Sequence, residues 1–320
     1  MKALLIINPI SGTANKDGLD EYVKSRLESS CWNITVKYTK KHGDATLFAR
    51  QAVKEGFDAV FSAGGDGTVN ETAAALCNSN TILGIIPCGS GNGLARHTGI
   101  PVGIREGVDV ILDNNCVAAD YMTVNDYPCF CTFGVGFDAA VSEAFARKKA
   151  RGKLSYIQST FETYQHFKPE NYTIEINDEV LEKRAFLIAV CNASQYGNNA
   201  YIAPHASITD GMLDVTIIHS GNALSTALVG IDLMTGFVDK NALIDTIRTS
   251  ELVITRSAAG PAHIDGEPVD LPEKIHIKCH PGKLKIFMPS NQADFKPILT
   301  PLLAFLTDVK VAINNIIHPI

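Results

Sequence analysis

The first part of the chain alternates short apolar runs with segments whose apolar residues recur at helical spacing. The apolar runs cover 3–7, 34–38, 58–63 and 82–86. Each run is bounded by turn residues, which is typical of buried strands in a parallel sheet. The intervening segments carry helical patterns, such as Leu19, Val23 and Leu27. This alternation predicts an α/β domain in which helices cover both faces of a parallel sheet.

The pattern changes near Val117, where short strands with close turns become dominant. The predicted strands cover 117–124, 128–133, 172–177, 185–192, 212–219, 251–255, 274–279 and 283–287. Many short strands separated by turns are typical of a β-sandwich or a barrel. A chain of 320 residues is also longer than one compact core usually serves. We therefore predict an α/β domain over 1–120 and a β domain over 121–289.

A third apolar pattern covers 290–320. Apolar residues fall near helical spacing at Ile298, Leu302, Leu303, Leu306, Val309 and Ile313, and the face is widened by Val311, Ile316 and Ile317. Such a stripe usually packs on its own protein, so we predict that this helix docks on the first domain and completes it. The alternative is an amphipathic membrane anchor, which normally carries many basic residues on its polar face. This tail offers only Lys296 and Lys310, with Asp294 and Asp308 close by.

Composition and charge narrow the functional classes. Hydrophobic residues make up 46% and charged residues 19% of the chain, which is ordinary for a globular protein. The formal net charge of -6 argues against a nucleic-acid-binding protein, which normally presents a basic surface. The 8 cysteines are scattered and form no CxxC pair, so we expect free thiols in a reducing cytoplasm. No run approaches the ~18 apolar residues of a membrane span.

Polar turns follow each of the predicted parallel strands, at 8–12, 39, 65–71 and 89–92. Ligands of such sheets bind at the carboxyl ends of the strands. The turn GGDGT at 64–68 leads into an alanine-rich helix, whose first N–H groups attract anions. Glycines let a ligand approach the backbone closely, and Asp66 adds a carboxylate. We therefore predict a nucleotide site with phosphates on this turn and a cation nearby. The alternative is a strand–helix turn whose glycines only make it tight.

The stretch GGDGTVNE at 64–71 resembles the nucleotide loop of diacylglycerol kinases and their bacterial YegS/BmrU-like lipid-kinase relatives, with sphingosine kinases more distant. The turn NPISG at 8–12 is similar to the family's NPxSG loop, and the resemblance extends to about Pro289. It implies a nucleotide domain of the NAD kinase and diacylglycerol kinase type, followed by a C-terminal β-sandwich. The implied ATP-binding residues are Asn8, Pro9, Ile10, Ser11, Gly12, Thr39, Gly64, Gly65, Asp66, Gly67, Thr68, Val69, Asn70, Glu71 and Ser90.

The resemblance also implies a magnesium site in the second half. Family members hold the ion with an Asp that precedes a Gly, helped by two backbone carbonyls. The matching positions here are Asp210 and the carbonyls of Ser207 and Met212. Magnesium prefers oxygen ligands and usually keeps several waters, whereas an Asp-Gly turn without a metal is the alternative. Some bacterial relatives have a second Asp where this chain has Thr209.

The segment HIDGEP at 263–268 is similar to the family's DGE segment, whose Glu is assigned as the proton acceptor. Glu267 is therefore the expected base. In the sphingosine kinase branch the Asp of the glycine loop takes this role, which makes Asp66 the rival. Without the resemblance, the segment predicts a hairpin with Asp-Gly at its tip.

Taken together, the resemblance implies a lipid kinase that uses ATP and Mg2+ to phosphorylate a hydroxyl of a diacylglycerol-like or sphingoid lipid. The implied partners are ATP and a membrane lipid, reached by transient contact at the inner face of the cytoplasmic membrane, and a homodimer is left open. One alternative is an NAD kinase-like small-molecule kinase, because NAD kinases share the GGDG core. Another is a non-catalytic lipid-binding protein of the same fold, against which the intact Asp66, Asp210 and Glu267 argue.

Overall fold

A computed structural model describes residues 1–12, 16–28, 30–147, 162–164, 166–197, 199–290 and 294–317. The chain divides into two compact units. Unit 1 comprises Met1–Ala119, Gly282–Asp294 and Leu299–Ile320, and unit 2 comprises Asp120–Pro281 and Phe295–Ile298. The chain thus returns to unit 1 at Gly282, several residues before the predicted boundary at 289.

Unit 1 is built on parallel strands. These are β1 (Lys2–Ile7), β2 (Asn33–Tyr38), β3 (Ala59–Gly64) and β4 (Ile82–Pro87), in the order β2-β1-β3-β4. The helices that follow or connect them are α1 (Leu19–Glu28), α2 (Asp44–Lys54), α3 (Asp66–Leu76), α4 (Gly93–His97) and α5 (Ile104–Leu112). Because β1 pairs in parallel with both β2 and β3, and β3 with β4, the carboxyl ends of these strands lie along one edge.

Two helix layers bury the strands of unit 1. Helix α1 packs with α5, and α2 packs with α3. Helix α1 buries Leu19, Val23 and Leu27, the residues that its periodicity predicts. Every residue of β3 is buried, as expected for a strand covered on both faces. The predicted α/β domain with a parallel sheet is confirmed.

Unit 2 consists mainly of antiparallel strands. Strand β5 (Cys116–Val124) enters it from unit 1, and the others are β6 (Tyr127–Cys129), β7 (Thr132–Gly136), β8 (Glu170–Ile176), β9 (Glu179–Ala185), β10 (Leu187–Cys191), β11 (Leu213–Ile218), β12 (Ile244–Thr249), β13 (Glu251–Arg256), β14 (Gly260–Ile264), β15 (Glu267–Leu271) and β16 (Lys274–Phe287). The helical elements described in it include α6 (Phe137–Arg147), α7 (Ala223–Thr235) and a 3-10 turn at Val238–Lys240.

The strands of unit 2 form two layers around one apolar core. One layer has the order β16-β13-β8-β9, and the other has the order β12-β11-β10-β7-β14-β15. Both layers contribute to the same cluster of buried residues, for example Tyr172 and Ile254 from the first and Phe133 and Val215 from the second. This arrangement confirms the C-terminal β-sandwich. The predicted strands do not include β9, β12, β14 or β15. Three of these, β9, β12 and β15, are terminal strands of the two layers and carry many polar residues, as unprotected sheet edges commonly do.

Strand β16 is continuous, whereas the sequence pattern predicts two strands separated near residue 281. It pairs antiparallel with β13 as far as Lys278, and Ile286 then pairs in parallel with Leu83 of β4. Pro281 and Gly282 lie between these pairings, and Gly282 has a φ of 63°. Proline has no N–H to donate to a ladder, so it is tolerated where the strand changes partners.

The tail forms helix α8 (Leu299–Ile317), most of which belongs to unit 1. Arg96 Nη1 contacts Asp308 Oδ2 at 2.8 Å, and Val311 is buried. The predicted docking face is wrong, however, because the bulky apolar residues such as Leu302 and Leu306 are exposed. In the described part of the chain, no helix is both long enough and apolar enough to cross a bilayer.

We expect Asp308→Asn to lower the stability of the protein by about 1–2 kcal/mol, because it removes the negative charge that contacts the mostly buried guanidinium of Arg96. For a unit of this size the change corresponds to a fall in Tm of roughly 2–8 °C, measurable by calorimetry. Asp294→Asn, which alters an exposed carboxylate just before the helix, is the matched control. Equal melting temperatures for the two variants would show that the ion pair does not hold α8.

Candidate active site

The turns that follow β1, β3 and β4 lie against one another in unit 1. Asn8 Nδ2 donates a hydrogen bond of 3.0 Å to Thr68 Oγ1, which ties the first turn to the start of α3. Gly65 and Gly89 approach so closely that a Cβ added to Gly89 would lie 2.5 Å from the Cα of Gly65. Any larger residue at Gly89 would therefore separate the β3 and β4 turns.

Asp66 connects the same two turns through its carboxylate. Its Oδ2 accepts a hydrogen bond of 2.8 Å from the backbone N–H of Asn92, and its Oδ1 accepts one of 2.6 Å from the N–H of Gly93. Asn92 and Gly93 form the start of α4, so Asp66 satisfies N–H groups at the beginning of that helix. Both oxygens of the predicted rival base thus have a structural role.

The β3 turn is open where a phosphate would approach. Helix α3 begins at Asp66, and the side chain of Thr68 is buried beneath Gly64. A Cβ placed on Gly67 would have no atom within 4 Å, so the backbone is accessible there. The first N–H groups of a helix have no partner within it and favour an anion. The described geometry therefore leaves the start of α3 open to an anion.

The other predicted ATP-binding residues are placed in different ways. Ser90 and Ile10 are exposed at the same edge, whereas the side chain of Val69 is buried in the unit. The carboxylate of Glu71 accepts hydrogen bonds from the N–H groups of Gly43 and Ala45, at 2.9 and 3.1 Å. Glu71 therefore caps the start of α2, and its oxygens face that helix.

Lys16 is a cationic residue at this edge that the sequence reasoning missed. Its Nζ donates a hydrogen bond to the carbonyl of Ser11, in the turn after β1. Burial raises the pKa of the Cys88 thiol to about 11, and the positive charge of Lys16 opposes this shift. The ammonium group therefore lies near both the β1 and β4 turns. The signal available in the sequence was a lysine shortly after an NPISG turn.

In unit 2, Asp265 stands at the tip of the β14–β15 hairpin. Its carboxylate accepts hydrogen bonds from the backbone N–H groups of Phe130, Cys131 and Thr132, at 2.9, 2.7 and 3.1 Å. Burial raises the pKa of Asp265, and these hydrogen bonds oppose the shift. The carboxylate thus fixes the hairpin tip to the segment that precedes β7.

Glu267 is the first residue of β15 and is exposed. Among the described residues, its carboxylate has no hydrogen-bond partner, which leaves both oxygens free to accept a proton. The hairpin that carries Glu267 is anchored a second time by His263. Since Gly266 N–H faces Nδ1 of His263 at 3.4 Å, Nε2 carries the proton and donates to Asp138 at 3.1 Å. The glutamate is therefore a free group on a firmly held support.

Asp210, the predicted magnesium ligand, contacts a guanidinium. Arg248 Nη2 forms an ion pair with Oδ2 of Asp210. Oδ1 of Asp210 accepts a hydrogen bond of 3.0 Å from the N–H of Met212. Arg248 also lies 3.6 Å from Asp214, whose pKa burial raises to about 6. Within the described ranges, no group of three or more His, Cys, Asp or Glu could hold a metal. These contacts fit an ion pair better than a divalent ion, and the metal set of Ser207, Asp210 and Met212 stays a prediction.

Comparison with known proteins agrees with this architecture. The model for the diacylglycerol kinase catalytic domain matches residues 2–124, and the model for the YegS C-terminal NAD kinase beta sandwich-like domain matches residues 131–288. Helix α8 lies beyond both matches.

Individual relatives cover most of the chain. An uncharacterized protein of Synechocystis sp. is 30% identical, over 89% of this chain and 70% of its own length. A protein of Shigella boydii called "Probable lipid kinase YegS" is 30% identical, over 83% of this chain and 89% of its own length. The solved structure of a diacylglycerol kinase from Bacillus anthracis superposes with a TM-score of 0.70 at 20% identity, over 90% of this chain and 97% of that one. The chain therefore belongs to the YegS-like lipid kinases, within the family that has the diacylglycerol kinase catalytic domain.

Proposed function

We propose that the protein transfers the γ-phosphoryl group of ATP to a hydroxyl of a diacylglycerol-like or sphingoid lipid. The observation that carries this proposal is the joining of the β3 and β4 turns by Asp66 beside an accessible helix start. The family supplies the reaction class, and the edge of unit 1 supplies groups suited to a nucleotide phosphate.

Unit 1 binds ATP along the carboxyl ends of its parallel strands. The phosphates lie on the turn at Gly65–Thr68, where backbone N–H groups of α3 face them. Lys16 adds a positive charge near this turn and stabilises the negative charge of the transferring phosphoryl group. Ser90 and Ile10, both exposed at this edge, contact the remainder of the nucleotide. Magnesium arrives with ATP as part of the MgATP substrate and neutralises charge on its phosphates.

Glu267 accepts the proton of the lipid hydroxyl. At the same time the hydroxyl oxygen forms a bond to the γ-phosphorus, and the bond between this phosphorus and the ADP oxygen breaks. Glu267 suits this role because its carboxylate is exposed and has no hydrogen-bond partner among the described residues. The oxygens of Asp66 and Asp265, by contrast, already accept backbone hydrogen bonds. Phosphoryl transfer depends mainly on positioning and charge stabilisation, so the base supplies part of the rate only.

The lipid substrate places the reaction at a membrane. We propose that the protein works as a peripheral enzyme at the inner face of the cytoplasmic membrane, where ATP is present. The described helices do not span a bilayer, so contact with the membrane is made from its surface.

We expect Lys16→Met to raise the KM for ATP about tenfold or more, because a charge-assisted contact to phosphate is lost. Initial rates at varied ATP and saturating lipid measure the change. Lys54→Met removes an exposed lysine in the last turn of α2 and is the matched control. Indistinguishable KM values for the two variants would exclude Lys16 from the phosphate site.

We expect Glu267→Gln to lower kcat by about 10²–10⁴-fold, the usual contribution of a positioned general base. The KM for ATP should change little, because the substitution keeps the shape of the side chain and removes only its proton affinity. Asp270→Asn, an exposed carboxylate on the same hairpin, serves as the control.

The Asp66→Asn variant separates the rival roles. A silent Glu267→Gln together with an Asp66→Asn variant that retains ATP affinity but loses kcat would identify Asp66 as the base. Loss of ATP affinity in Asp66→Asn, with a lowered Tm, would agree with its role in joining the two turns.

We expect EDTA to leave the Tm of the nucleotide-free protein unchanged, because Arg248 compensates the charge of Asp210. Arg248→Met should lower stability by about 1–2 kcal/mol, since Asp210 and Asp214 are then left together without a cation. If chelation lowers the Tm and added magnesium restores it, a metal ion does bind at Asp210.

A further inference from the structure

Helix α8 packs on unit 1 with its small and polar side. Ala304 and Asp308 are half-buried and Val311 is buried, three residues that share one face of the helix. Val311 lies so close to Gly103 that an added Cβ there would be 2.6 Å from its Cγ1. Asp308 is held by Arg96. These contacts fix the rotation of the helix about its own axis.

The bulky apolar side of α8 consequently points away from unit 1. We call it the α8 face, and it consists of Leu299, Leu302, Leu303, Phe305, Leu306, Val309 and Ile313, which are 39% to 58% exposed. A surface helix of a globular protein normally has the opposite orientation, with its apolar stripe toward the core. A continuous exposed patch of this kind marks an interaction site.

Helix α7 of unit 2 also has an apolar side that is exposed to solvent. Its exposed apolar residues, which we call the α7 face, are Leu224, Leu228, Ile231 and Met234, at spacings of four, three and three. Val229 on the other side is buried. Asp232 accepts a hydrogen bond of 2.6 Å from Asn241, so its carboxylate faces the protein.

Charge identifies the kind of partner. The sequences of the two helices contain the charged residues Asp232, Asp308 and Lys310. Both carboxylates are engaged by the protein, and the exposed charge is that of Lys310, although the chain as a whole carries -6. A lysine at the margin of an apolar face extends its ammonium toward lipid phosphates while its stem remains among apolar groups. The α8 face is therefore complementary to a lipid headgroup layer, and the α7 face adds apolar side chains.

We propose that the α7 face and the α8 face insert into the surface of a lipid bilayer. This rests on the proposed function, because a lipid kinase must reach a substrate that resides in the membrane. An interfacial helix buries its apolar side at the boundary of headgroups and acyl chains. Such a helix normally needs a basic polar side, but here that side is covered by the protein itself. A second copy of this chain is the alternative occupant, and the oligomeric state of the helix variants distinguishes it from a bilayer.

The test is flotation of the full chain with phosphatidylcholine vesicles. We expect Leu302→Ser with Leu306→Ser to weaken binding about tenfold or more, and Leu228→Ser with Ile231→Ser to do the same, because each pair removes apolar contacts with the bilayer. Binding should change little between roughly 0.05 and 0.5 M NaCl, since the attraction is apolar. Unaltered Tm values, expected for exposed positions, show that the variants are folded.

The matched control replaces exposed apolar residues outside both helices, Leu47→Ser with Val180→Ser. The proposal is overturned if the helix variants bind vesicles as well as this control. It is also overturned if the wild type is a dimer by light scattering, the helix variants are monomers, and vesicle binding is unaffected.

Activity on a water-soluble short-chain diacylglycerol separates this proposal from the kinase proposal. We expect the helix variants to keep the wild-type rate on this substrate and to lose activity on vesicles that contain long-chain lipid. A wild type that floats through these faces but phosphorylates neither lipid would support the bilayer surface and overturn the substrate assignment.

Discussion

The carboxylate of Asp66 joins the β3 and β4 turns of unit 1, at the edge where we propose that the nucleotide binds. Hydrogen bonds from backbone N–H groups to a carboxylate are charge-assisted and stronger than those between neutral groups. Two of them, from Asn92 and Gly93, draw the β4 turn onto the β3 turn. The contact is possible only because Gly65 and Gly89 allow the backbones to meet. The position of α4 depends on this interaction, whereas the neighbouring turn after β1 is tied to α3 by the hydrogen bond from Asn8 to Thr68.

In unit 2, two acidic residues of the β14–β15 hairpin, Asp265 and Glu267, have different roles. Asp265 is half-buried, and its carboxylate accepts hydrogen bonds from three backbone N–H groups, whereas Glu267, two residues later, is exposed. A buried carboxylate with several N–H donors rigidifies the backbone around it. The nearby carboxylate of Glu267 then has a defined position without itself accepting hydrogen bonds from the described residues. In the DGE motif, Asp265 therefore holds the backbone and Glu267 has a carboxylate without a hydrogen-bond partner among the described residues. The order of the residues in the sequence does not reveal this difference.

The sequence predicts the parts of this structure that depend on neighbouring residues. The alternation of apolar runs and helical segments locates the parallel strands, and the glycine turn locates the accessible start of α3. The position of Lys16 was missed because it depends on the path of the chain after Ser11, which brings the ammonium near Cys88. The partner of Asp210 was missed for a similar reason, because Arg248 is distant in sequence and meets it only through the pairing of β11 with β12.

The orientation of α8 shows a different limit of sequence reasoning. Periodicity identifies the apolar stripe of a helix, but it does not say whether protein, lipid or water covers that stripe. Here the small Ala304 and the acidic Asp308 fit the surface of unit 1 better than the bulky side does. The ion pair between Arg96 and Asp308 and the close contact of Val311 with Gly103 fix the orientation of α8.

The change of partners along β16 has a consequence for synthesis of the chain. Unit 1 draws on residues from both ends, since Gly282–Asp294 and the tail helix join Met1–Ala119. Nearly all of unit 2 has left the ribosome when Pro281 emerges, while unit 1 still lacks the last part of β16 and α8. Contacts that join distant parts of a chain form slowly, and the first domain to emerge usually folds first. In this protein the strands β1 to β4 of unit 1 emerge first, but unit 1 is completed only after the sandwich.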